Sequence, residues 1–242
     1  CFPNTLDTTV DFEMVDGKPD TFIITGDIDA MWLRDSTAQV WPYMPLLLQD
    51  DKLRLMVRGL VHRQANCVLT DAYAKAFYKD WTKVSEWADD RPKTVPGVHE
   101  RKWEIDSLCY FVRLSYDYYS RTQDLAVLDE QWQEAARLVL RTFQTEQRKD
   151  GTTPYRFIRT TPNMVDSVPF GGTGRPIRPV GLIASAFRPS DDATIFPFLI
   201  PSNLFAVESL RQLAFLFEEV LEDPNFARSC KALADEVQQA VE

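Results

Sequence analysis

Three short stretches bring charged, aromatic and hydroxyl side chains together, a mixture that polar ligand pockets contain. They are WLRDS at 32–36, ERKWEIDS at 100–107 and RPSDDATIFPFLIPSN at 188–203. Around the first stretch, carboxylates and an arginine surround an apolar Met-Trp-Leu core without the regular period of a surface helix or strand. This pattern is typical of the wall of a polar pocket.

The adjacent carboxylates Asp191 and Asp192 are the best candidates for acid or base chemistry. Two neighbouring carboxylates hinder each other's ionisation, and partial burial raises the pKa of a carboxyl further. One of the pair would then keep a proton near neutral pH. Arg188 opposes this effect because a nearby cation favours the charged form, and a structural alternative is that Asp192 caps a short turn.

The elements that must position these residues are mainly helices, because apolar residues recur at helical spacing through most of the chain. Asp35 is a candidate N-cap of the first helix, which Pro42 and Pro45 are expected to bend or shorten. Predicted helices cover Ser36–Leu48, Lys52–Leu69, Glu104–Ser120, Leu125–Lys149, a segment from Leu204 through Val220, and a last helix opened by Asp223-Pro224. The sequence therefore predicts three helical hairpins.

The connections within and between these hairpins differ in length. Residues 49–51 form a short turn, whereas 70–103 and 150–201 are long, and long connections in compact domains commonly serve a site. Each polar-aromatic stretch introduces the first helix of a hairpin. If the hairpins surround a common axis, the three stretches meet at one end of the assembly.

The alternative is purely structural and applies to each motif on its own. Asp35, Ser190 and Ser202 would be ordinary helix caps, and Arg34 and Arg188 would be their salt-bridge partners. For any one motif alone, the structural interpretation is preferred over the functional one, because short motifs are weak evidence. Three motifs in the same position relative to three hairpins favour a functional site.

Composition excludes several classes of protein. The chain has 242 residues, a formal net charge of −9 and scattered basic residues, which argues against nucleic-acid binding. We predict no membrane span, because no window approaches the roughly 20 apolar residues that one needs. Two histidines and no paired-cysteine spacing leave little from which to build a metal site, and Cys1, Cys67, Cys109 and Cys230 are expected to be small thiols, buried for the three on predicted helices. Nothing indicates a cellular compartment.

Four blocks of the sequence resemble glycoside hydrolase family 125, the exo-acting α-1,6-mannosidases. They are TGDIDAMWLRDSTAQVWPY, ERKWEIDSLCY, TPYRF and SAFRPSDDATIFPFLIPSNLFAV, and the similarity runs from about Thr5 to at least Leu213. The opening CFPNTLDTTV resembles the fungal branch, whose members are often labelled meiotically up-regulated gene products. The resemblance implies an (α/α)6 barrel, an inverting mechanism, no metal and no other cofactor, and α-1,6-linked mannosides or mannose oligosaccharides derived from N-glycans as substrates.

The resemblance also implies roles for individual residues. Asp191, the first aspartate of the Arg-Pro-Ser-Asp-Asp motif, would be the general acid, and Arg34 and Asp35 would bind the hydroxyl groups of the terminal mannose. Trp32 would pack against that sugar. Asp29 is a weaker candidate for the sugar-binding pocket than the other residues of its motif. The remaining substrate-binding candidates are Arg188, Asp192, Glu100, Arg101 and Asp106, the last three having an ion-pair network as an equal alternative. Trp81 and Trp87 would stack on the next sugar or anchor the fold.

The sequence departs from the family pattern at the second carboxylate, the general base that inverting glycosidases require. The resemblance implies that this base is a glutamate beyond Glu242, and three hairpins are half of a six-hairpin barrel. We therefore interpret residues 1–242 as a single partial catalytic domain, truncated at the C-terminus, that alone should not turn over substrate. The alternative is a non-catalytic mannose-binding or interaction remnant of the same scaffold. A helical terpenoid synthase fits less well, because Ile195 stands where its metal-binding motif needs an acid.

Overall fold

The structure, a computed structural model, describes residues 3–242, so the prediction for Cys1 lies outside the described residues. The described range forms seven α-helices: α1 (Asn4–Thr8), α2 (Leu33–Val40), α3 (Asp51–Thr70), α4 (Ile105–Thr122), α5 (Glu130–Glu146), α6 (Ile200–Phe215) and α7 (Pro224–Val241). It also forms five strands: β1 (Val10–Val15), β2 (Lys18–Ile23), β3 (Met31–Trp32), β4 (Ala76–Phe77) and β5 (Val98–Glu100). The prediction of a helix-rich fold is confirmed, and the strands are an addition to it.

The helices begin where polar caps allow them to. The carboxylate of Asp50 accepts hydrogen bonds from the backbone N–H groups of Lys52 and Leu53, at 2.9 and 3.0 Å, and so satisfies two donors at the start of α3. Asp223 does the same for Phe226 at 3.1 Å, directly before Pro224 opens α7. The predicted start of α7 is therefore confirmed, and the predicted bounds of α3, Lys52–Leu69, are confirmed to within one residue at each end.

The start of α2 differs from the prediction. The helix begins at Leu33 with Trp32 as its N-cap residue, so Asp35 lies in the first turn and does not cap it. Pro42 and Pro45 shorten the helix as expected, because proline lacks the N–H that a continuing α-helix needs. The chain continues as a 3-10 helix over Trp41–Leu46.

Two other predicted helices have different bounds. The segment predicted as Leu125–Lys149 is a 3-10 turn at Leu125–Val127 followed by α5, whose N-terminus is capped by the carboxylate of Asp129. Helix α6 begins at Ile200 with N-cap Leu199, so Ser202 lies inside the helix and is not its cap. At its other end α6 widens into a π-helical turn over Leu216–Val220.

The helices form two rows. The first helices of the predicted hairpins pack side by side, α2 against α4 and α4 against α6, and the second helices form another row, α3 against α5 and α5 against α7. One continuous core of buried side chains joins the two rows. This alternation puts the N-termini of α2 and α4 at the same end of the molecule.

The strands form two small antiparallel sheets. Asp16 and Gly17, with φ of 50° and 79°, turn β1 into β2, and β2 packs on α3 beside Gly59. The second sheet has the order β3-β4-β5 and lies just before the N-termini of α2 and α4. It therefore joins the first two polar-aromatic stretches, which begin at Trp32 and Glu100.

The cysteines in the described range are buried, as predicted, and none forms a disulfide. Burial raises the pKa of the Cys67 and Cys230 thiols to about 12 and raises that of Cys109 further. Thiols held in this state are weak nucleophiles. Over residues 3–242, no helix combines the length and the hydropathy that a membrane crossing requires.

Candidate active site

The first and second polar-aromatic stretches meet at Arg34. Arg34 lies in the first turn of α2, and its Nη1 donates to Oε2 of Glu104 at 2.8 Å and to Oδ2 of Asp106 at 2.9 Å. Glu104 is the N-cap residue of α4, and Asp106 lies in the first turn of that helix. The two carboxylates raise the pKa of Arg34 although burial would lower it, so the guanidinium stays charged.

The third stretch joins them through Lys75, which lies just before β4. The Nζ of Lys75 lies 3.3 Å from Oε1 of Glu104 and 3.2 Å from Oε2 of Glu100, and it also contacts Oδ1 of Asp191. The Lys75 side chain is 1% exposed, whereas that of Asp191 is 50% exposed. Residues separated by more than 150 positions in the sequence, Arg34 and Asp191, therefore belong to one charged network, as the hairpin arrangement predicts.

Asp191 sits at the tip of a tight turn. Its backbone N–H donates to the carbonyl of Arg188 at 2.9 Å, and the N–H of Arg188 donates to the carbonyl of Asp192 at 2.8 Å. Asp191 has a φ of 70°, in the left-handed region that non-glycine residues seldom adopt. The ammonium of Lys102 donates to the Asp191 carbonyl at 3.2 Å, which fixes the main chain of the turn. The carboxylate is thus presented outward from a rigid support.

The neighbouring Asp192 is engaged within the turn. The hydroxyl of Ser190 donates to Oδ2 of Asp192 at 2.9 Å, and no backbone N–H of the described residues donates to this carboxylate, so the bond is not the predicted cap. Arg188 is exposed, and its guanidinium forms no ion pair with the residues that the structure describes. It is therefore not the salt-bridge partner of Asp191 or Asp192.

Glu100 is surrounded by three cations. Its carboxylate contacts Lys75 at 3.2 Å, Arg159 at 2.8 Å and Lys102 at 3.5 Å. Burial would raise the pKa of Glu100, but the three cations outweigh it and lower the pKa to about 2. Arg159 also binds Asp90 and lies 4.0 Å above the ring of Trp87. The network therefore extends to one of the two candidate stacking tryptophans.

Glu104 behaves in the opposite way although it also contacts Lys75. Burial raises the pKa of Glu104 to about 7, and the two cations beside it, Lys75 and Arg34, offset only part of that effect. The neighbouring carboxylate of Asp106 raises it further. At neutral pH this end of the molecule therefore contains a buried carboxyl that is divided between its protonated and charged forms.

Several acceptors near Arg34 have capacity for further hydrogen bonds. Oδ2 of Asp35 and Oδ1 of Asp106 are buried and accept no hydrogen bond from the described residues. Trp32 is 8% exposed and lies edge-on to His99, with ring centroids 5.3 Å apart. Carboxylate oxygens beside an aromatic ring are suited to a neutral ligand rich in hydroxyl groups.

Other predicted residues lie outside this network. Arg101 pairs with Asp71 at 2.5 Å and packs between the rings of Tyr73 and Tyr155, which agrees with the ion-pair alternative. Trp81 lines a separate cavity of about 440 Å³, where its ring lies 4.7 Å from the guanidinium of Arg63. Asp29 is exposed and forms an ion pair with Lys83. The structure therefore separates Trp81 from Trp87.

Sequence reasoning missed four charged residues of the network, namely Lys75, Lys102, Glu104 and Arg159. Each is at least nine-tenths buried. The one available signal for Lys75 was a cation between small and aromatic residues in AYAKAFY, which is unusual for a solvated loop. Among residues 3–242, no group of three or more His, Cys, Asp or Glu side chains is arranged to hold a metal ion.

Comparison with known proteins agrees with this geometry. A family model described as "Metal-independent alpha-mannosidase (GH125)" matches residues 1–242. The chain is 33% identical over 259 residues to the Meiotically up-regulated gene 157 protein of Schizosaccharomyces pombe (strain 972 / ATCC 24843), an alignment that covers 100% of this chain and 51% of that protein.

A solved structure of a metal-independent α-mannosidase from Streptococcus pneumoniae, a non-productive substrate complex with α-1,6-mannobiose, has a similar fold. The TM-score is 0.93 at 38% sequence identity, and the match covers 100% of this chain and 56% of that chain. The chain thus spans about half the length of both relatives. From the family match over its full sequence and from these two relatives, the chain belongs to glycoside hydrolase family 125, the metal-independent α-mannosidases.

Proposed function

We propose that this chain carries the acid half of the active site of an inverting exo-α-1,6-mannosidase, which removes terminal non-reducing α-1,6-linked mannose. The observation that carries the proposal is the half-exposed carboxyl of Asp191 joined through Lys75 and Glu104 to Arg34. The related Streptococcus pneumoniae enzyme was solved with α-1,6-mannobiose, which supports the linkage. α-1,6-Linked mannosides, including mannose oligosaccharides derived from N-glycans, are the expected substrates.

The reaction uses Asp191 as the general acid. Its carboxyl gives a proton to the glycosidic oxygen as the bond from that oxygen to C1 of mannose breaks, and the rest of the glycan leaves as an alcohol. Water adds to C1 from the opposite face and gives a proton to a general base, so mannose is released with inverted configuration. Asp191 is left as a carboxylate and recovers its proton from solvent, which its exposure allows.

The general base has to lie about 6.5 to 9.5 Å from the acid on the other side of the sugar. Asp192 is unsuited to this role, because it is adjacent to Asp191 in one turn and is engaged by Ser190. We expect the base to be a glutamate beyond Glu242, in the part of the longer relatives that this chain does not match. The chain alone is then expected to bind substrate without turnover.

Recognition of the terminal mannose is assigned to the first turns of α2 and α4. The acceptors Asp35 Oδ2 and Asp106 Oδ1 would receive hydrogen bonds from sugar hydroxyls, and Arg34 would donate to a hydroxyl oxygen. Trp32 would give an apolar wall against the carbon face of the ring. Glu100 and Arg101 are assigned supporting roles, because both are engaged in ion pairs and neither has a buried polar atom without a hydrogen-bond partner.

We also propose that the three hairpins are half of an (α/α)6 barrel, with residues 1–242 as a single partial domain. Support comes from the alternation of helices into a row of α2, α4 and α6 and a row of α3, α5 and α7. The polar network lies at one end of the first row. This position is the one expected for an active site at the mouth of a helical barrel, where the N-termini of alternate helices meet.

Asp191→Asn in the full-length protein tests the proposal, with Asp192→Asn as the matched control. We expect Asp191→Asn to lower kcat on α-1,6-mannobiose by roughly 10²- to 10⁴-fold with binding retained, and Asp192→Asn to have a much smaller effect. Unchanged hydrolysis by Asp191→Asn would remove Asp191 from its role. A full-length wild-type protein that binds mannobiose but does not hydrolyse it would favour the mannose-binding remnant instead.

A further inference from the structure

Among the residues the structure describes, Lys75 is the only cation that contacts both the side-chain carboxylate of the candidate acid and the buried carboxylates beside it. Its ammonium contacts Asp191, Glu100 and Glu104, and each of its three N–H donors has a carboxylate partner within reach. The two glutamates overcome the effect of burial and raise the pKa of Lys75, so the ammonium stays charged. A charged group this deeply buried is held rigidly by its partners.

The contact distinguishes the two oxygens of Asp191. Oδ1 is the atom that the ammonium of Lys75 contacts, and the side chain is half exposed on its other side. An oxygen that accepts a hydrogen bond from an ammonium is the unprotonated one in a neutral carboxylic acid. The proton of the acid therefore belongs on Oδ2.

We propose that Lys75 is a positioning residue for the general acid, which directs the acid proton to Oδ2 of Asp191 and stabilises the carboxylate that remains after proton transfer. This inference rests on the proposed function of Asp191. The proton moves from Oδ2 to the glycosidic oxygen as the C1–O bond breaks, and the electron pair of the O–H bond stays on Asp191. The negative charge that develops there lies beside the fixed ammonium.

This stabilisation acts mainly in the transition state. The protonated carboxyl that reacts with bound substrate gains less from Lys75 than the carboxylate that forms as the proton leaves. Removal of the Lys75 ammonium is therefore expected to lower kcat more than it changes KM. The decrease in kcat is expected to be largest for a leaving group that needs protonation and smallest for an activated phenol that leaves without it.

The test compares Lys75→Met with wild type in the full-length protein on two substrates, α-1,6-mannobiose and 2,4-dinitrophenyl α-mannoside. We expect a loss of roughly 100-fold in kcat on mannobiose, within the range for general acid catalysis, and a loss below about fivefold on the dinitrophenyl substrate. Lys102→Met is the matched control, because Lys102 is also buried and also pairs with Glu100, but it contacts Asp191 at the backbone carbonyl and not at the carboxylate. It is expected to affect both substrates by the same factor.

Equal losses on the two substrates for Lys75→Met would overturn the proposal in favour of a purely structural role. If Lys75→Met does not fold, the same comparison is made in the background Glu104→Gln, where one buried charge of each sign has been removed. The Glu104→Gln single variant is then the reference.

A stability cycle separates failure of this inference from failure of the proposed function. The drop in Tm caused by Lys75→Met is expected to be at least about 3 °C smaller in an Asp191→Asn background than in wild type, because their contact is already weakened there. A full-length wild-type protein without hydrolytic activity would contradict the proposed function and would still allow this coupling to be measured. Additive effects of the two substitutions would show that Lys75 does not hold Asp191.

Discussion

Replacement of Glu104 by glutamine tests whether the buried carboxyl at the centre of the network opposes folding at neutral pH. Its pKa rises from the ordinary 4.5 to about 7. A rise of that size corresponds to about 3 kcal/mol by which ionisation of Glu104 destabilises the folded state. The sign follows because the folded state keeps the proton after the unfolded state has lost it, so stability falls as pH rises from about 4.5 to 7.

Glutamine removes this pH dependence but also removes one acceptor. Both oxygens of Glu104 accept from cations, Oε2 from Arg34 and Oε1 from Lys75, whereas glutamine has one carbonyl oxygen. The lost acceptor costs roughly 1–2 kcal/mol at any pH. We therefore expect Glu104→Gln to be destabilising at pH 5, and the difference from wild type to change by about 2 kcal/mol in favour of the variant by pH 8.

Glu100→Gln is the matched control, because Glu100 lies four residues away and shares the Lys75 contact. Its pKa is lowered from 4.5 to about 2 by three cations, so its stabilising effect is fully present above pH 4.5 and is lost as pH falls toward 2. We expect Glu100→Gln to lose up to about 3 kcal/mol, equally at pH 5 and pH 8.

Urea denaturation of the three proteins at pH 5, 6, 7 and 8 measures these differences. A Glu104→Gln difference that stays constant over this range, or that changes in favour of wild type, would show that burial does not dominate at Glu104. Catalytic activity of Glu104→Gln is expected to fall even where stability rises, because Arg34 and Lys75 lose a shared anchor.

Three further outcomes test the packing that supports the site. Gly59→Ala should lower the free energy of unfolding, measured in urea titrations, by about 1–2 kcal/mol. The added Cβ would lie 2.5 Å from Oγ1 of Thr21, and this clash exceeds the gain in helix propensity. A stabilised Gly59→Ala variant would contradict this expectation. Trp132→Ala should cost about 3–5 kcal/mol by the same measurement, since this fully buried ring stacks on Phe217. Asp50→Ala should lower Tm by a few degrees through loss of the α3 cap, worth about 1 kcal/mol, and an unchanged Tm would exclude that role.

Periodicity located the long helices because their apolar residues face one core. The same reasoning missed β1 and β2, although VDFEMV at β1 alternates apolar and polar residues over its first five positions, which is the period of a strand. The pair Asp16-Gly17 was a second signal, as Asp-Gly is typical of a two-residue hairpin turn. A hairpin packed on α3 could have been predicted from it.

The end of the molecule at which the candidate site lies was predictable from the sequence, but the individual ion pairs within it were not. Three motifs before three helices indicated a common end, and the Arg34 to Asp191 network agrees with that prediction. Lys75 carries no periodic signal, and its partners lie between 25 and 116 positions away in the sequence. Ion pairs of this kind depend on how loops fold over each other, which local patterns do not encode.

The left-handed backbone at Asp191 limits which amino acids can hold that position. With φ at 70°, aspartate and asparagine are tolerated because their short polar side chains can bond to the local main chain, whereas glutamate would add both strain and length. Random substitution at position 191 is therefore expected to yield few folded variants. Variants with altered substrate specificity are expected to carry changes in the surrounding ion-paired residues instead.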